Sequence, residues 1–210
     1  MITVIGNMKG GTGKSTVTFN LAVWLAHQGK SLKLYDLDPQ QTLADVIEVR
    51  KEEAYQPVLP KTEQETTLHS IKEDISIDEV LIDVSMSDQD ALKEAIKICD
   101  RILIPVAPSQ ADIWSTQRFI KLIKETCQDS LPEILAIINR ADTHPLVTET
   151  KESEEALDFL PGITRINKAR LYNRTAYRRS FSEGLAVFEL NPSGKASKEI
   201  LKLTKHLYKF

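Results

Sequence analysis

A glycine-rich loop near the N-terminus, MKGGTGKS at residues 8–15, constrains the fold more than any other stretch of the chain. It follows the apolar run ITVIG and precedes a helical pattern from Ser15 to Gln28 that Gly29 ends. Glycines let backbone N–H groups turn toward a phosphate, and a helix N-terminus adds partial positive charge. Because the loop lies between an apolar run and a helix, we interpret it as a phosphate-binding loop and not as a chance glycine cluster.

The loop departs from the usual pattern G-x-x-x-x-G-K-[ST] at its first position. Met8 stands where that pattern has glycine, and a second lysine, Lys9, follows it directly. We expect Lys14 to reach the β- and γ-phosphates of a nucleotide and the Ser15 hydroxyl to ligate Mg²⁺. The predicted nucleotide-binding residues of the loop are Gly10, Gly11, Thr12, Gly13, Lys14, Ser15 and Thr16.

Short apolar runs alternate with longer helical patterns along most of the chain. Such alternation is typical of a mostly parallel sheet covered by helices on both faces, and so predicts an α/β fold with three α/β/α layers. The polar stretch 51–78 contains two prolines and is expected to be a loop with at most one short helix. The predicted strands are Ile2–Gly6, Leu32–Tyr35, Glu79–Val84, Arg101–Val106 and Glu133–Asn139, with helices at Asp90–Cys99 and Asp112–Cys127 among them.

Three aspartates follow predicted strands, where ligands of parallel sheets are bound. Asp83 ends the run VLID, and we expect its carboxylate to support the Mg²⁺ site as a Walker-B acid. Asp36 and Asp38, in YDLDPQQT, are candidates for organising Mg²⁺ and for positioning the attacking water. Alternatively, this Asp-x-Asp pair forms a turn and a helix cap before Pro39.

The composition is that of an ordinary globular protein, with 210 residues, 41% hydrophobic and 27% charged. No apolar run approaches the roughly 20 residues that cross a bilayer, and the N-terminus lacks the pattern of a signal peptide. We therefore expect one cytoplasmic domain over residues 1–210. Cys99 and Cys127 lack metal-ligand spacing and are expected to be reduced packing residues.

The net charge of -3 conceals a basic C-terminal portion. Residues 165–210 contain eleven Lys and Arg against three Glu, a balance of +8. Such a segment is either a surface that faces a polyanion or a set of solvated helix faces. Its densest group is Arg170, Arg174, Arg178 and Arg179, and the first three are spaced four apart, as on one helical face.

Several of these stretches together resemble one family of nucleotide-binding proteins. KGGTGKST, YDLDPQQT, VLIDVS, RILIPVAPSQADIWS and IINR, in this order and spacing, are similar to the deviant Walker A P-loop ATPases. The likeness is greatest to the small ParA-type partition ATPases of the ParF-like branch. It covers nearly the whole chain, including residues 164–190. The loop sequence alone is shared with septum-site, nitrogenase-reductase and arsenical-pump relatives.

The resemblance implies roles for individual residues. Lys9 matches the signature lysine that reaches the nucleotide of a second subunit, so Lys9, Lys14 and Asp38 are the expected catalytic residues. Asp38 corresponds to the acid that positions water, whereas Ser15, Asp36 and Asp83 correspond to the Mg²⁺ site. Asn139 matches a position that commonly meets adenine, and Pro105 and Pro108 are expected on the same side of the site.

The resemblance also implies an activity and partners. It predicts an ATPase that dimerises on ATP, binds DNA non-specifically through Arg170, Arg174, Arg178 and Arg179, and hydrolyses ATP when a small ParB- or ParG-like centromere-binding protein stimulates it. The expected setting is the nucleoid of a bacterial or archaeal cytoplasm, without a membrane.

Two other functions are open at this stage. The C-terminal segment SKEILKLTKHLYKF is amphipathic, with Ile200, Leu203, Leu207 and Phe210 on one side. It is expected to close the sheet, but a MinD-like positioning ATPase would place such a helix on a membrane. A metabolic reductase or ligase is disfavoured, because the chain lacks cysteine pairs for an iron–sulfur cluster and a separate polar substrate constellation.

Overall fold

Seven parallel strands form one sheet in the part of the chain that the computed structural model describes, namely residues 1–63, 68, 71, 76–127, 130–144 and 146–208. The strand order is β3-β2-β4-β1-β5-β6-β7. The strands are β1 (Ile2–Ile5), β2 (Leu32–Asp36), β3 (Thr62–Glu63), β4 (Glu79–Asp83), β5 (Arg101–Val106), β6 (Glu133–Ile138) and β7 (Thr164–Arg165). The helices are α1 (Lys14–His27), α2 (Thr42–Glu52), α3 (Gln89–Ile98), α4 (Gln110–Cys127), α5 (Glu149–Asp158), α6 (Thr175–Ser182), α7 (Val187–Leu190) and α8 (Lys195–Leu207).

The predicted α/β/α architecture is confirmed, and each of the five predicted strands ends within one residue of its observed bound. The edge strands β3 and β7 were not predicted. Each has two residues, which is too short for a periodic pattern, and each exists because it pairs with a longer neighbour. β3 lies in the stretch 51–78 that was expected to be a loop. Part of that stretch, namely residues 64–67, 69–70 and 72–75, lies outside the described residues.

Alternate residues of the central strands pack into two separate apolar layers. Leu81 and Leu103 join the layer that contains α1, α2 and α8, whereas Ile82 and Ile104 join the layer of α3 and α4. Successive side chains of a strand point to opposite faces, so a strand covered on both sides must be apolar throughout. The near-continuous apolar runs in the sequence are a direct consequence.

The last helix, α8, closes the layer around α1. Ile200, Leu203 and Leu207 are buried there, and the Ser197 hydroxyl donates to the Val187 carbonyl of α7 at 2.8 Å. The apolar side of α8 is therefore covered by protein, as expected for a helix that closes the sheet; Phe210 and Lys209 lie outside the described residues. Among the described helices, none is long and apolar enough to span a membrane.

Neither cysteine forms a disulfide, and both pack against the layer of α3 and α4. Each donates to the carbonyl of Ile96, Cys99 at 3.3 Å and Cys127 at 3.7 Å. Partial burial raises the pKa of the Cys127 thiol. These contacts agree with the predicted role of the two residues in packing.

The carboxyl ends of the central strands meet at one edge of the sheet. Asp83 at the end of β4 is in register with Asp36 on β2 and with Ile5 on β1. The glycine-rich loop leaves β1 at the same edge, and Asn139 follows β6 there. The fold thus brings the loop and the predicted acidic residues together, because the parallel strands that carry them end at the same edge of the sheet.

Candidate functional site

The glycine-rich loop adopts a conformation that its glycines make accessible. Gly11 and Gly13 have φ values of 72° and 89°, in the left-handed region that residues with a Cβ disfavour. A Cβ on Gly13 would also lie 2.4 Å from the Asn139 side-chain nitrogen. The loop ends at Gly13, and α1 begins with Lys14, Ser15 and Thr16, whose N–H groups have no partner within the helix; the first helical bond runs from the Val17 N–H to the Gly13 carbonyl at 3.0 Å.

Asn139 connects the loop to the end of β6 by hydrogen bonds. Its side-chain amide donates to the Thr12 carbonyl at 2.6 Å, and its side-chain oxygen accepts from the Arg140 backbone N–H at 2.9 Å. Its own backbone N–H donates to Val106 on β5 at 2.8 Å. With only 7% of its surface exposed, Asn139 positions the loop as well as bordering the space beside it.

A cavity of about 160 Å³ opens beside the loop, over the start of α1. The chain after β6 forms its far wall, because Ala141 and Tyr172 form a parallel bridge and Asn173 donates to the Ala141 carbonyl at 2.8 Å. Pro108 is outside this lining, and the Pro105 carbonyl accepts instead from the Asn7 side chain at 2.8 Å. The lining residues are Gly13, Thr16, Val17, Asn139, Arg140, Leu171, Tyr172, Asn173, Arg174, Tyr177 and Arg178.

Asp83 is a fully buried carboxylate beside the loop, and neither of its oxygens has a hydrogen-bond partner of normal geometry among the described residues. Burial raises the pKa of Asp83 from 3.8 to about 7, and the negative charge of Asp36 adds to the rise. The nearby Ser15 hydroxyl and Lys14 ammonium oppose it. An orphaned carboxylate in this position needs a proton or a cation.

Asp36 and Asp38 have different surroundings. Asp36 is buried, and its two oxygens accept from the backbone N–H groups of Asp38, Leu43 and Ala44 at 2.9–3.2 Å, so it caps α2. Burial raises the pKa of Asp36, although these N–H groups act in the opposite direction. Asp38 is half-buried and accepts from the Gln40 N–H at 3.0 Å. Of the two acids of the Asp-x-Asp pair, Asp36 therefore has the alternative role of a helix cap.

These residues fit a magnesium ion that binds together with a nucleotide. The described residues hold no group of three or more Asp, Glu, His or Cys side chains arranged to bind a metal by themselves. Mg²⁺ commonly takes one or two carboxylates and completes its shell with phosphate and water. The orphaned oxygens of Asp83 and the neighbouring Ser15 hydroxyl match that requirement, and the ion would neutralise phosphate charge there.

Lys9 does not point along its own loop. Its ammonium lies 2.5 Å from Oδ2 of Asp112 in the first turn of α4, and its backbone N–H donates to Asn7 at 3.1 Å. Asn7 is buried and also accepts from the Ser115 hydroxyl at 3.2 Å. Sequence reasoning assigned no role to Asn7 or Asp112, although Asp112 lies in the run RILIPVAPSQADIWS, because only the fold brings α4 beside the loop.

The predicted placement of Arg170, Arg174 and Arg178 on one helical face is wrong. Helix α6 begins at Thr175, so Arg170 and Arg174 precede it. Arg170 forms bonds of 2.6–2.9 Å with Glu154, and Arg174 lies 2.7 Å from Glu199. The i, i+4, i+8 spacing did not predict their positions, because these two arginines pair with Glu154 of α5 and with the buried Glu199 of α8.

The other two predicted arginines, Arg178 and Arg179, lie on α6. Arg178 is exposed on α6 and lines the cavity beside the loop. Arg179 is largely exposed and pairs with Glu183, one turn along, at 2.8 Å. The four arginines therefore do not form one continuous cationic face.

Four lysines of the C-terminal portion form a second group of cations. Lys195, Lys198 and Lys202 lie on one face of α8, at i, i+3 and i+7, and share a shallow depression of about 300 Å³ with Lys168. All four are exposed, and none forms an ion pair with the residues that the structure describes. We call Lys168, Lys195, Lys198 and Lys202 the lysine surface.

The chain belongs to the CobQ/CobB/MinD/ParA nucleotide binding domain family, whose model matches residues 3–185. It is an ATPase of this family, with ATP or ADP and Mg²⁺ as its cofactors. The matched range contains the glycine-rich loop, the three aspartates and Asn139.

Individual relatives agree with this assignment. "Maintenance of carboxysome distribution protein A" from Halothiobacillus neapolitanus is 29% identical over 196 residues, which cover 92% of this chain and 89% of that protein. Two solved structures share the fold, each with a TM-score of 0.76. One is an ATP complex of a McdA variant from Cyanothece, 19% identical over 98% of this chain and 95% of that one. The other is the septum-site-determining protein MinD with Mg-ADP from Pyrococcus horikoshii, 21% identical over 99% and 96%.

Proposed function

We propose that this ATPase partitions DNA: with ATP it dimerises and binds DNA non-specifically, and a small centromere-binding protein of the ParB or ParG type stimulates hydrolysis. The observation that carries the proposal is the lysine surface, four exposed cations that line one depression and form no ion pair with the described residues. Non-specific DNA binding needs clustered cations that contact phosphates and does not need base contacts.

The nucleotide is expected to span the loop and the adjacent cavity. Lys14 and the N–H groups that open α1 would bind the phosphates, with Ser15 and Asp83 at the Mg²⁺ ion. The base would occupy the cavity that Asn139 and Tyr172 border. Asp38, less tied to backbone than Asp36, is the better candidate for positioning the attacking water.

Lys9 is the residue that we expect to contact the nucleotide of a second subunit; in the single chain its ammonium contacts Asp112 on α4. A lysine that stabilises the charge of another subunit's nucleotide would act as an arginine finger does in related reactions. Binding of the γ-phosphate would then switch the chain between monomer and dimer, and between low and high DNA affinity.

Binding of random-sequence duplex DNA, measured by fluorescence anisotropy at several salt concentrations, tests the proposal. With ATP and Mg²⁺ the wild-type chain should bind far more tightly than with ADP. Replacing Lys195, Lys198 and Lys202 together by Gln should weaken binding about ten-fold or more and flatten its salt dependence.

A matched control removes the same charge from the other side of the sheet. Lys97, Lys121 and Lys151 are exposed on α3, α4 and α5, and their replacement by Gln should leave DNA binding nearly unchanged. Equal loss in both triple variants would mean that only net charge matters. ATP-independent binding would contradict the switch itself.

A second candidate is the positioning of a protein cargo, favoured by the likeness over 92% of the chain to a protein named for carboxysome distribution. ATP-dependent DNA binding suits both candidates, so the cargo decides between them. If the protein partitions DNA, deletion of the gene in its native host should raise the rate at which a plasmid or chromosome is lost. Normal DNA inheritance with misplaced protein particles would favour the second candidate.

Membrane positioning is less well supported, because the apolar side of α8 is buried against the layer of α1. Co-sedimentation with anionic liposomes should therefore not depend on ATP. ATP-dependent sedimentation that is lost when α8 is deleted would reverse this preference.

A further inference from the structure

Asp112 is the acidic residue that receives the Lys9 ammonium, and its surroundings are unusual for a surface ion pair. Only 2% of the Asp112 side chain is exposed, against 43% for Lys9. Its Oδ2 accepts from both the Lys9 ammonium and the Ser109 hydroxyl, whereas Oδ1 is buried without a hydrogen-bond partner among the described residues. A carboxylate with one unsatisfied oxygen depends strongly on the cation that it does have.

We propose that Asp112 is a positioning residue that holds Lys9 on its own chain in the nucleotide-free state and opposes its transfer to the nucleotide of a second copy. The proposal rests on the proposed ATP-dependent dimer. A lysine side chain that contacts the phosphates of another subunit cannot stay 2.5 Å from Asp112, so the ion pair must open when the dimer forms.

The environment of Asp112 also explains how the pair can open. Asp112 lies in the first turn of α4, where the helix dipole favours a negative charge, and its backbone N–H donates to Ser109 at 3.2 Å. These contacts remain when Lys9 leaves. The carboxylate therefore retains part of its stabilisation, and the pair acts as a reversible latch, not as a permanent structural bond.

Asn7 restricts how Lys9 can leave. It accepts from the Lys9 backbone N–H at 3.1 Å and from Ser115 on α4 at 3.2 Å, and it donates to Pro105. The backbone of Lys9 is thus fixed to β5 and α4, and only its side chain is free to swing between Asp112 and a neighbouring subunit.

The test compares dimer dissociation constants by sedimentation, with AMPPNP and Mg²⁺ as the ligand. Asp112→Asn keeps the shape and the bond to Ser109 but removes the charge, so the dimer should dissociate with a constant about ten-fold lower than wild type. Lys9→Ala should abolish the dimer. An unchanged or weaker dimer in Asp112→Asn overturns the proposal.

Ser109→Ala is the matched control, because it removes the hydroxyl that caps α4 and leaves the ion pair intact. Its dimer constant should stay within about two-fold of wild type. If it matches that of Asp112→Asn, the effect is one of helix capping and the latch is refuted.

Nuclear magnetic resonance of the lysine ammonium groups tests the latch in the wild-type chain, whatever the stability of the variants. The Lys9 signal, assigned by its absence in Lys9→Arg, should show slow proton exchange without nucleotide and fast exchange in Asp112→Asn. Exchange as fast as that of Lys198 in the wild type would refute the pair. A slow Lys9 signal in a chain that never dimerises would instead count against the proposed function.

Discussion

Lys14 and Arg174 are both cations at the start of a helix, yet their surroundings differ. Lys14 opens α1, is 7% exposed and forms no ion pair with the described residues. Arg174 precedes α6 and bonds to Glu199 of α8 at 2.7 Å. Because a cation near a helix N-terminus is unfavourable, Arg174 is compensated within the fold and Lys14 is not.

The same contrast holds for the acids. Glu199 accepts from Arg174, from the Tyr177 hydroxyl at 3.0 Å and from the Tyr172 backbone at 3.1 Å. Asp83 is buried more deeply than Glu199 but has no such partners among the described residues. The loop end of the sheet therefore carries a cation and an acid that lack an ion-pair partner among the described residues, whereas Arg174 and Glu199 pair with each other.

The largest expected effect concerns Lys14. Lys14→Ala should lower kcat/KM for Mg-ATP by at least about 100-fold, because the ammonium stabilises charge on the transferred phosphoryl group. Steady-state phosphate release checks this, with Lys97→Ala, at an exposed position of α3, as the control. A loss smaller than ten-fold would mean that Lys14 resembles Arg174 in being structural.

The second-largest expected effect distinguishes Asp83 from Glu199, whose charge is paired with Arg174 in the fold. The pKa of Asp83 in the folded chain, about 7, lies above its ordinary value of 3.8, so the folded state keeps a proton that the unfolded state releases. Stability without Mg²⁺ should therefore fall as pH rises from about 4 to 7, with a slope of up to about 1.4 kcal/mol per pH unit, and then level off.

Asp83→Asn should lack this contribution. Urea unfolding in EDTA at pH 5 and pH 7 measures it as the difference between variant and wild type, which should grow with pH. Asp45→Asn, on the exposed side of α2, removes a carboxylate as a control. A difference that stays constant with pH would show that Asp83 is already satisfied in the fold.

The smallest expected effect concerns Glu199, whose charge is paired with that of Arg174. Glu199→Gln should destabilise the fold by about 2 kcal/mol, since it weakens three hydrogen bonds and leaves Arg174 without its counter-charge. Lys198→Gln, one position earlier and exposed, should change the free energy of unfolding by less than about 0.5 kcal/mol. Equal denaturation midpoints for the two variants would remove the contrast between the paired arginine and the free lysines.

The sequence predicted the loop end of the sheet well because local rules govern it. Gly11, Gly13 and Lys14 lie between a strand and a helix, and Asp83 ends a buried run, so parallel-sheet geometry alone brings them to one edge. Asp36 shows the limit of such reasoning. Both of its predicted roles suit an acid after a strand, and only the bonds to Leu43 and Ala44 identify it as the cap of α2.

Charge pairing, by contrast, was decided by the tertiary structure. The partners of Arg170, Arg174 and Lys9 are 16, 25 and 103 residues away along the chain. Ion pairs act through space, and no spacing rule in one segment specifies which element will pack against it. The sequence by itself determined the sheet, its two apolar layers and the phosphate loop, because each follows from short-range periodicity and glycine geometry. Only the packing of α4, α5 and α8 decided which cations form ion pairs and which, among the described residues, do not.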